Sequence, residues 1–388
     1  MSGWNARRRY SGLVSSSPSR IRPFVGVGVA LLTVLAAGVV MTAWLGADRQ
    51  QSTRPPTSGR DAQQTTRPPT SGRAGNVVLT YLSGPAKGKT ISGQHNREPA
   101  NEPAQWTVKV HDITGKYPGI WGGDLSFHSL ADRPLQIAEA KRQWSAGSLV
   151  TLMWHMCPPT HPEPCGWNTP DGVWAKLDDA QWNELITAGT PLNRAWLAEL
   201  DAVVPLLKEL QDAGVEVLWR PLHEMNDTWA WWGGRPGPNG SRRLYQLMHD
   251  YLARRHGLTN LVWVWSVTDQ RVNAIGDYFP GADYVDVASM DVWHNDYPSW
   301  SDYQAMLTVA AGKPIALGEV KKVPLPAVLA EQPGWAWFMV WAENLVDSNS
   351  EAAVKATYYD PRVLNREDIA RDRQRQPPLA GGSPVPGS

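Results

Sequence analysis

The 388-residue chain has little phenylalanine and no excess of either charge. Its 37 Lys and Arg residues balance 37 Asp and Glu residues, so there is no overall basic field to attract nucleic acid. Only 4 phenylalanines accompany 21 tryptophans, whereas a need for core packing would enrich Phe and Leu together with Trp. The scarcity of Phe therefore indicates that many of the tryptophans serve as flat binding surfaces.

Cysteine is also scarce, and the only two, Cys157 and Cys165, stand eight positions apart in the segment CPPTHPEPC. They could be unrelated thiols, or a zinc pair with His155 or His161, although the spacing matches no standard zinc motif. In an exported domain a disulfide across this loop is favoured, because that compartment permits its formation. A disulfide would turn the loop into a fixed wall that carries Trp167.

One long apolar run is present, at residues 24–47. Its 24 uncharged residues follow the arginine-rich segment 1–23, and such a run can cross a hydrocarbon core of roughly 30 Å as a helix. Because basic residues mark the cytoplasmic side, segment 1–23 is predicted to be cytoplasmic and the rest of the chain to lie outside. A cleaved signal peptide is the alternative, so the domain is predicted to be either anchored to the outer face of the cytoplasmic membrane or secreted.

Large apolar residues are absent from the segment that follows. A 13-residue unit occurs twice there, as QSTRPPTSGRDAQ and then QTTRPPTSGRAGN. Sequence rich in Pro, Ser, Thr and Arg cannot bury a core, so residues 48–75 are predicted to form a disordered linker. The tail at residues 373–388 has a similar composition and the same interpretation. A single folded domain is therefore expected at residues 76–372.

Eight short apolar runs alternate with helical stretches within this domain. Apolar residues at consecutive positions are typical of parallel strands that are buried on both faces. Eight such strands over about 300 residues predict a single (β/α)8 TIM barrel, of the α/β class. A doubly wound open sheet is the alternative, but no Gly-rich phosphate loop opens a helix. The predicted strands are 90–95, 119–125, 149–155, 215–223, 261–267, 285–291, 314–319 and 336–341. The longest predicted helices are 131–146, 193–213 and 241–256.

Two glutamates end the fourth and seventh predicted strands. Glu224 lies in the segment LWRPLHEMNDTWAWWGG, and Glu319 lies in ALGEV, directly after Gly318. Because all strands of a barrel end at one mouth, these carboxylates should face each other across it. Retaining glycosidases use such a pair, about 5–5.5 Å apart, as acid/base and nucleophile. The indoles beside Glu224 favour a raised pKa and a proton for donation, whereas Glu319 is expected to stay ionised.

The motifs WRPLHEMN, WAWWGG and ALGEV resemble those of glycoside hydrolase family 26, over about residues 90–343. The best-known members of that family are endo-β-1,4-mannanases. The resemblance implies an endo-acting, retaining mannanase in which Glu224 is the acid/base and Glu319 is the nucleophile. It also implies that Arg220 and His223 hold the −1 sugar and the nucleophile in place. The mechanism needs no metal ion or cofactor.

Further substrate-binding residues are expected from the same resemblance and from strand-end positions. His155 matches a histidine near the −1 subsite, and Trp229 matches an aromatic residue beside the acid/base. Trp341 matches a tryptophan that lies beneath the −1 ring. Asp124 and Asp291 end predicted strands, and each is expected either to touch the sugar or to hydrogen-bond behind the residues that do.

Two positions depart from the family pattern. Asp227 stands where Gly usually follows H-E-M-N, and Trp293 stands where a tyrosine usually contacts the nucleophile. An indole N–H donates a hydrogen bond but offers no hydroxyl acceptor, which bears on the substrate more than on the reaction. Mannan is therefore the expected substrate, and mixed-linkage β-glucan or β-1,3-xylan are the alternatives.

A non-catalytic glycan-binding barrel is the alternative from another class of protein. The expected partners are a polysaccharide and, through residues 24–47, the membrane. We expect no nucleic-acid partner, and we expect the protein to be a monomer.

Overall fold

The computed structural model describes residues 76–97, 101–125, 130–168 and 170–375. The predicted segments 1–23, 24–47 and 48–75 lie outside these residues, as does the tail from residue 376 onward. Among the described residues, no helix combines the length and the apolar character that crossing a membrane requires. The predicted anchor at residues 24–47 therefore stays a prediction.

Eight parallel strands form a closed barrel. Each strand pairs with its neighbour in the chain, and the last strand pairs with the first through Gln94 and Val340. The predicted single barrel is therefore confirmed for the described residues. The barrel strands are β1 Gly93–His95, β2 Ile120–Asp124, β3 Leu149–Trp154, β4 Val217–Pro221, β5 Leu261–Thr268, β6 Val287–Val292, β7 Ile315–Val320 and β8 Trp335–Val340. Two further strands, Thr90–Ile91 and Val363–Leu364, pair with each other beside β8.

The fourth strand is shorter than predicted. It ends at Pro221, so Glu224 lies three residues beyond it in a turn instead of on the strand end. The physical reason is the backbone, because Leu222 and Glu224 have φ angles of 49° and 54°, which no strand residue adopts. The turn carries Glu224 away from the strand axis and over the mouth.

Helices follow most strands and pack around the barrel. The helices are α1 Val77–Ser83, α2 Gln105–Thr114, α3 Arg133–Ser145, α4 Asp179–Ile186, α5 Pro191–Asp212, α6 Ser241–His249, α7 Trp300–Ala310, α8 Pro326–Glu331, α9 Asn344–Asp347, α10 Glu351–Tyr358 and α11 Arg366–Arg375. Short 3₁₀ helices cover Leu130–Asp132 and Val272–Tyr278, and a π-helical turn, Asp250–Arg255, extends α6. The three longest predicted helices are thus present.

The longest helix, α5, shows why these boundaries arise. The Thr190 side chain accepts a hydrogen bond from the Asn193 amide, and Pro191 occupies the first turn, where its missing N–H does no harm. The chain leaves the helix before Gly214, whose φ of 69° suits glycine. At the other end of the domain, α11 runs past the predicted boundary at residue 372, and the Arg373 guanidinium lies 4.0 Å from the Trp144 ring centroid.

Helix α1 packs against the residues that fill the barrel. Its buried face, which includes Val78 and Tyr81, joins a cluster with strand residues such as Leu218 and Val262. Glu216 accepts hydrogen bonds from the amides of Val77 and Val78 at 2.8 and 2.7 Å, and so caps the positive end of the helix. Glu216 directly precedes β4, so α1 covers the end of the barrel at which the strands begin. The opposite end, where the strands finish, is left for the site.

Candidate active site

Glu319 lies on β7 within a group of buried charges. Its carboxylate accepts a hydrogen bond from the Arg220 guanidinium, which projects from β4. The same guanidinium donates to Asp291 Oδ2, on β6, at 2.8 Å. All three side chains are buried, with Glu319 and Asp291 at 0% exposure. Glu319, Arg220 and Asp291 therefore form one network that spans three strands.

The close approach of β6 and β7 depends on Gly318. A Cβ atom at this position would lie 2.5 Å from Asp291 Oδ1 and 2.9 Å from Ser289 Oγ. Neither neighbour is the end of a long flexible side chain, so any larger residue would displace the Asp291 carboxylate. The glycine beside Glu319 is thus required for the network to assemble.

The pKa values in this network follow from burial and from the charges. The pKa of Asp291 is raised to about 7, and burial is the largest cause. The charge of Glu319 also raises this pKa, whereas the charge of Arg220 and hydrogen bonds from Ser266 and Arg220 lower it. For Arg220, burial disfavours the cation, but the charges of Asp291 and Glu319 outweigh this and raise its pKa above the ordinary value. Arg220 is therefore a permanent cation between two carboxyl groups.

Glu224 is also buried, but its surroundings are aromatic. Trp229 donates a hydrogen bond from Nε1 to Glu224 Oε2. The Trp229 ring in turn meets Trp232 edge-on, with 5.4 Å between centroids. The Trp232 Nε1–H donates to the His223 carbonyl at 2.8 Å, which fixes the turn before Glu224. Two of the indoles that follow Glu224 in the sequence, Trp229 and Trp232, are thus in contact with it or with its turn.

The two glutamates meet across the mouth. One carboxylate oxygen each from Glu224, Asp291 and Glu319 lie within 4.8 Å of one another. Three carboxylates at this spacing could hold a divalent cation. Arg220, however, already donates to two of them, Asp291 and Glu319, and so it supplies the positive charge at this point.

The predicted histidines and Asp124 lie beside Glu224. His155 follows β3, and its Nδ1 is 2.5 Å from Asp124 Oδ2 on β2. The His155 and His223 rings meet edge-on at 4.6 Å, and the His155 and Trp229 centroids are 5.8 Å apart. Asp124 is thus placed behind His155, where it fixes the orientation of the imidazole.

Trp341 and Trp293 form a further aromatic pair at the mouth. Their ring centroids are 6.1 Å apart at an interplanar angle of 76°. Trp341 stacks on His95, with centroids 4.4 Å apart and planes 13° from parallel. Burial lowers the pKa of His95 to about 3, so the imidazole supports Trp341 as a neutral ring.

Two further residues contribute to the site. His95 supports Trp341, and its place at the end of the first predicted strand brings it to the mouth. Ser266, on β5, donates to Asp291 Oδ2 at 2.8 Å and accepts from Arg220 at 3.2 Å. Sequence reasoning missed Ser266, and its signal is a polar residue directly after the apolar run LVWVW.

Cys157 and Cys165 form a disulfide, with an S–S distance of 2.11 Å and 5.8 Å between Cα atoms. The predicted disulfide is confirmed, and the alternatives of free thiols or a zinc pair are wrong. Trp167 follows this loop, and its ring centroid lies 5.0 Å from that of His155 and 5.8 Å from that of Trp229. The disulfide loop therefore leads directly into the aromatic side of the site.

Comparisons with known proteins agree with this geometry. The sequence model of glycosyl hydrolase family 26 matches residues 68–368. A mannan endo-1,4-beta-mannosidase of Thermothelomyces thermophilus is 30% identical over 316 residues, which are 75% of this chain and 60% of that protein. The mannan endo-1,4-beta-mannosidase A and B of Caldalkalibacillus mannanilyticus is 31% identical over 67% of this chain and 54% of its own length. The chain thus spans less than two thirds of the length of either relative.

Two solved structures extend the comparison. GH26A from Muricauda sp. MAR_2010_75 superposes with a TM-score of 0.71 at 37% identity, covering 75% of this chain and 96% of that one. A beta-mannanase from a symbiotic protist of the termite Reticulitermes speratus, complexed with gluco-manno-oligosaccharide, gives a TM-score of 0.66 at 25% identity and covers 75% and 92%.

Proposed function

Because the chain belongs to glycosyl hydrolase family 26, we propose that it cleaves internal β-1,4-mannosidic bonds of mannan-type polysaccharides with retention of configuration. The observation that carries this proposal is the spacing of the carboxylates, with oxygens of Glu224 and Glu319 within 4.8 Å of each other. Retaining glycosidases place their two carboxyl groups about 5–5.5 Å apart, whereas inverting enzymes need about 6.5–9.5 Å to admit a water molecule.

In the proposed reaction, Glu224 donates a proton to the glycosidic oxygen while Glu319 attacks the anomeric carbon. The C–O bond to the leaving chain breaks, and a covalent glycosyl-enzyme forms on Glu319. Glu224, now ionised, accepts a proton from water, whose oxygen displaces Glu319 from the sugar. The hydrogen bond from the Arg220 cation holds the Glu319 carboxylate in place for this attack.

The remaining predicted residues would bind the sugar beside these two groups. Trp341, with His95 beneath it, offers a rigid aromatic face for the −1 ring. His155 and His223 face the same space from the Glu224 side. We assign Asp124 and Asp291 to orienting His155 and Arg220, because their carboxylates bond to those side chains.

The choice of mannan rests on the relatives, which are named as mannan endo-1,4-beta-mannosidases. Trp293 favours a second candidate, cleavage of mixed-linkage β-glucan or β-1,3-xylan. The centroid of its ring is 6.1 Å from that of Trp341. An indole is larger than the tyrosine that is usual at this position, and it would change the shape of the space around the −1 sugar.

We further propose that the domain acts outside the cytoplasm as a monomer, anchored through residues 24–47 or secreted. The disulfide between Cys157 and Cys165 supports this location, since such bonds persist in oxidising compartments.

The test is product release from β-mannan, mixed-linkage β-glucan and β-1,3-xylan by the wild type, Glu319→Ala and Glu224→Gln. We expect short oligosaccharides from mannan, and a loss of several orders of magnitude in Glu319→Ala with sugar binding largely kept. Substantial turnover by folded Glu319→Ala would contradict the role of Glu319. Cleavage of another polymer instead would establish the second candidate. Binding without hydrolysis by the wild type would indicate a non-catalytic barrel.

A further inference from the structure

The segment that carries Trp229 is held from outside by residues 173–179, which follow the disulfide loop. The Trp231 amide donates to the Val173 carbonyl at 3.2 Å. The Arg235 guanidinium donates to Asp179 Oδ1 at 2.7 Å. Between these contacts, the Lys176 ammonium donates to the carbonyl of Trp229 at 2.9 Å and also to the carbonyl of Thr228. Two segments more than 50 residues apart in the chain are thereby joined.

Lys176 acts on the backbone from which the Trp229 side chain projects. An ammonium that binds two consecutive carbonyls restricts both peptide planes, and so restricts the direction in which the indole leaves the chain. The indole N–H reaches Glu224 Oε2. The charge-assisted contact of Lys176 is therefore connected to Glu224, the candidate acid/base, through Trp229 alone.

The bond from Trp229 also determines where the Glu224 proton resides. An indole N–H can only donate, so Oε2 is the acceptor in this bond. In protonated Glu224 the proton accordingly belongs on Oε1, and the orientation of the indole fixes the direction in which Oε1 points. General acid catalysis depends on that direction, because the proton must lie within hydrogen-bond reach of the leaving oxygen.

We propose that Lys176 is a positioning residue for proton donation by Glu224, which it serves by orienting Trp229. This inference rests on the proposed function. It adds Lys176, which is not one of the aromatic residues around Glu224, to the residues that control proton donation. The surrounding turn has its own supports, since Trp231 Nε1 donates to the Met156 carbonyl at 2.9 Å and the Gly234 amide donates to the Met225 carbonyl at 3.0 Å. Removal of Lys176 should therefore misdirect the indole without unfolding the segment.

The test compares two substrates that differ in their need for a proton. Mannan oligosaccharides have a poor leaving group that needs protonation, whereas a 2,4-dinitrophenyl β-mannobioside releases a phenolate without it. We expect Lys176→Met to lower kcat/KM for the oligosaccharides about tenfold, a part of the roughly 10²–10⁴-fold that general acid–base catalysis contributes. For the aryl substrate kcat/KM should stay within about twofold, since the attack by Glu319 is unaffected.

Three further variants make the result specific. Lys176→Arg keeps a cation that can donate to both carbonyls and should retain most of the activity. Lys208→Met removes an exposed lysine that pairs along α5 with Asp212, and should behave as wild type on both substrates. Trp229→Phe should reproduce the leaving-group dependence, and adding Lys176→Met to it should lower kcat/KM little further, because the two changes act through one contact.

Equal losses on both substrates, or wild-type kinetics in Lys176→Met, would overturn the inference. If Glu224→Gln shows the leaving-group dependence and Lys176→Met does not, the proposed function stands and only the role of Lys176 fails. If the wild type cleaves neither substrate, the proposed function fails and the inference fails with it.

Discussion

The two candidate catalytic carboxyl groups lie in opposite kinds of surroundings. Glu319 is held by charge, since Arg220 bonds to it and to Asp291 within a fully buried network. Glu224 is held by rings, since its hydrogen bond comes from the Trp229 indole, whose neighbours are further tryptophans and histidines. The charged side is built from barrel strands, whereas the aromatic side is built from turns and loops at the mouth.

This difference indicates how each side should fail. A buried carboxylate that loses its cation is left with an uncompensated charge, and it responds by taking up a proton. A carboxyl group held by rings loses orientation instead, because no charge is removed with the ring. We therefore expect large, pH-dependent effects on the Glu319 side and smaller effects, dependent on the leaving group, on the Glu224 side.

The largest effect should come from Arg220→Met. The change leaves Asp291 and Glu319 buried side by side without a cation, and breaking such a pair costs about 3–5 kcal/mol. That cost falls on folding stability. Loss of the cation that orients Glu319 should also lower kcat/KM on mannan about 10²–10³-fold, as removal of one preorganised electrostatic donor does. It should raise the pKa of Asp291 further, because Arg220 lowers that pKa in the wild type.

Arg220→Lys is the matched control for charge. It keeps a cation, but a lysine lacks the planar fork of donors with which the guanidinium bonds to both carboxylates. We therefore expect an intermediate loss of kcat/KM. Circular dichroism melting of both variants separates lost activity from lost fold. Wild-type kcat/KM in folded Arg220→Met would show that the reaction does not need the cation between Asp291 and Glu319.

Much of the charged side could be predicted from the sequence, because it follows from the barrel. Strand-end positions brought Glu319 and Asp291 to one mouth, and the fourth strand supplied Arg220. Position alone did not decide whether Asp291 faces the sugar or lies behind Arg220. That depends on how closely β6 and β7 approach at Gly318, which is a property of strand register that one sequence does not display.

The aromatic side was predictable in composition but not in geometry. The tryptophans around Glu224 were evident, yet the positive φ angles of Leu222 and Glu224 were not, because neither residue type favours them. The contact of Lys176 with the Trp229 carbonyl joins two loops without periodicity, 53 positions apart. Such contacts depend on the packing of the whole domain and leave no local pattern.

Gly318→Ala should give an effect of intermediate size by disturbing the charged side without removing a charge. The added Cβ would lie 2.5 Å from Asp291 Oδ1, so Asp291 must shift and its bond to Arg220 must weaken. Overpacking of this kind costs about 1–3 kcal/mol of stability. We expect kcat to fall about ten- to a hundredfold, as small displacements of catalytic groups do.

Gly276→Ala is the control for this substitution. A Cβ at Gly276 meets nothing within 4 Å, and we expect wild-type activity and stability. Steady-state kinetics and melting temperatures of the two alanine variants provide the comparison. Equal behaviour of the two would mean that β6 and β7 can separate at Gly318 without cost to the network.

The smallest effect on activity should come from Glu199, a buried carboxyl group on α5 that takes no part in the proposed reaction. Among the described residues, neither of its carboxylate oxygens has a hydrogen-bond partner. Burial raises its pKa from 4.5 to about 9, with a further increase from Glu163 and an opposing effect from Arg133. Glu199 is thus a carboxyl group buried without a bonded cation, and it isolates the effect of burial.

The sign of its effect on stability follows from proton binding. Between the ordinary pKa of 4.5 and the folded value of about 9, the folded chain keeps a proton that the unfolded chain releases. The free energy of unfolding therefore falls as pH rises through this range. Above the folded pKa the full destabilisation from ionising Glu199 is present. Glu199→Gln cannot ionise in either state, so its melting temperature should match the wild type near pH 4 and exceed it by about 5 °C at pH 8.

Glu209→Gln, on the same helix but half-exposed and paired with Lys141, should show no such gain, and neither variant should change kcat. Parallel melting curves for the wild type and Glu199→Gln across this pH range would mean that water or a local shift solvates Glu199. The packing around Glu199 would then admit water, and the free-energy penalty for ionising this carboxyl group would be absent.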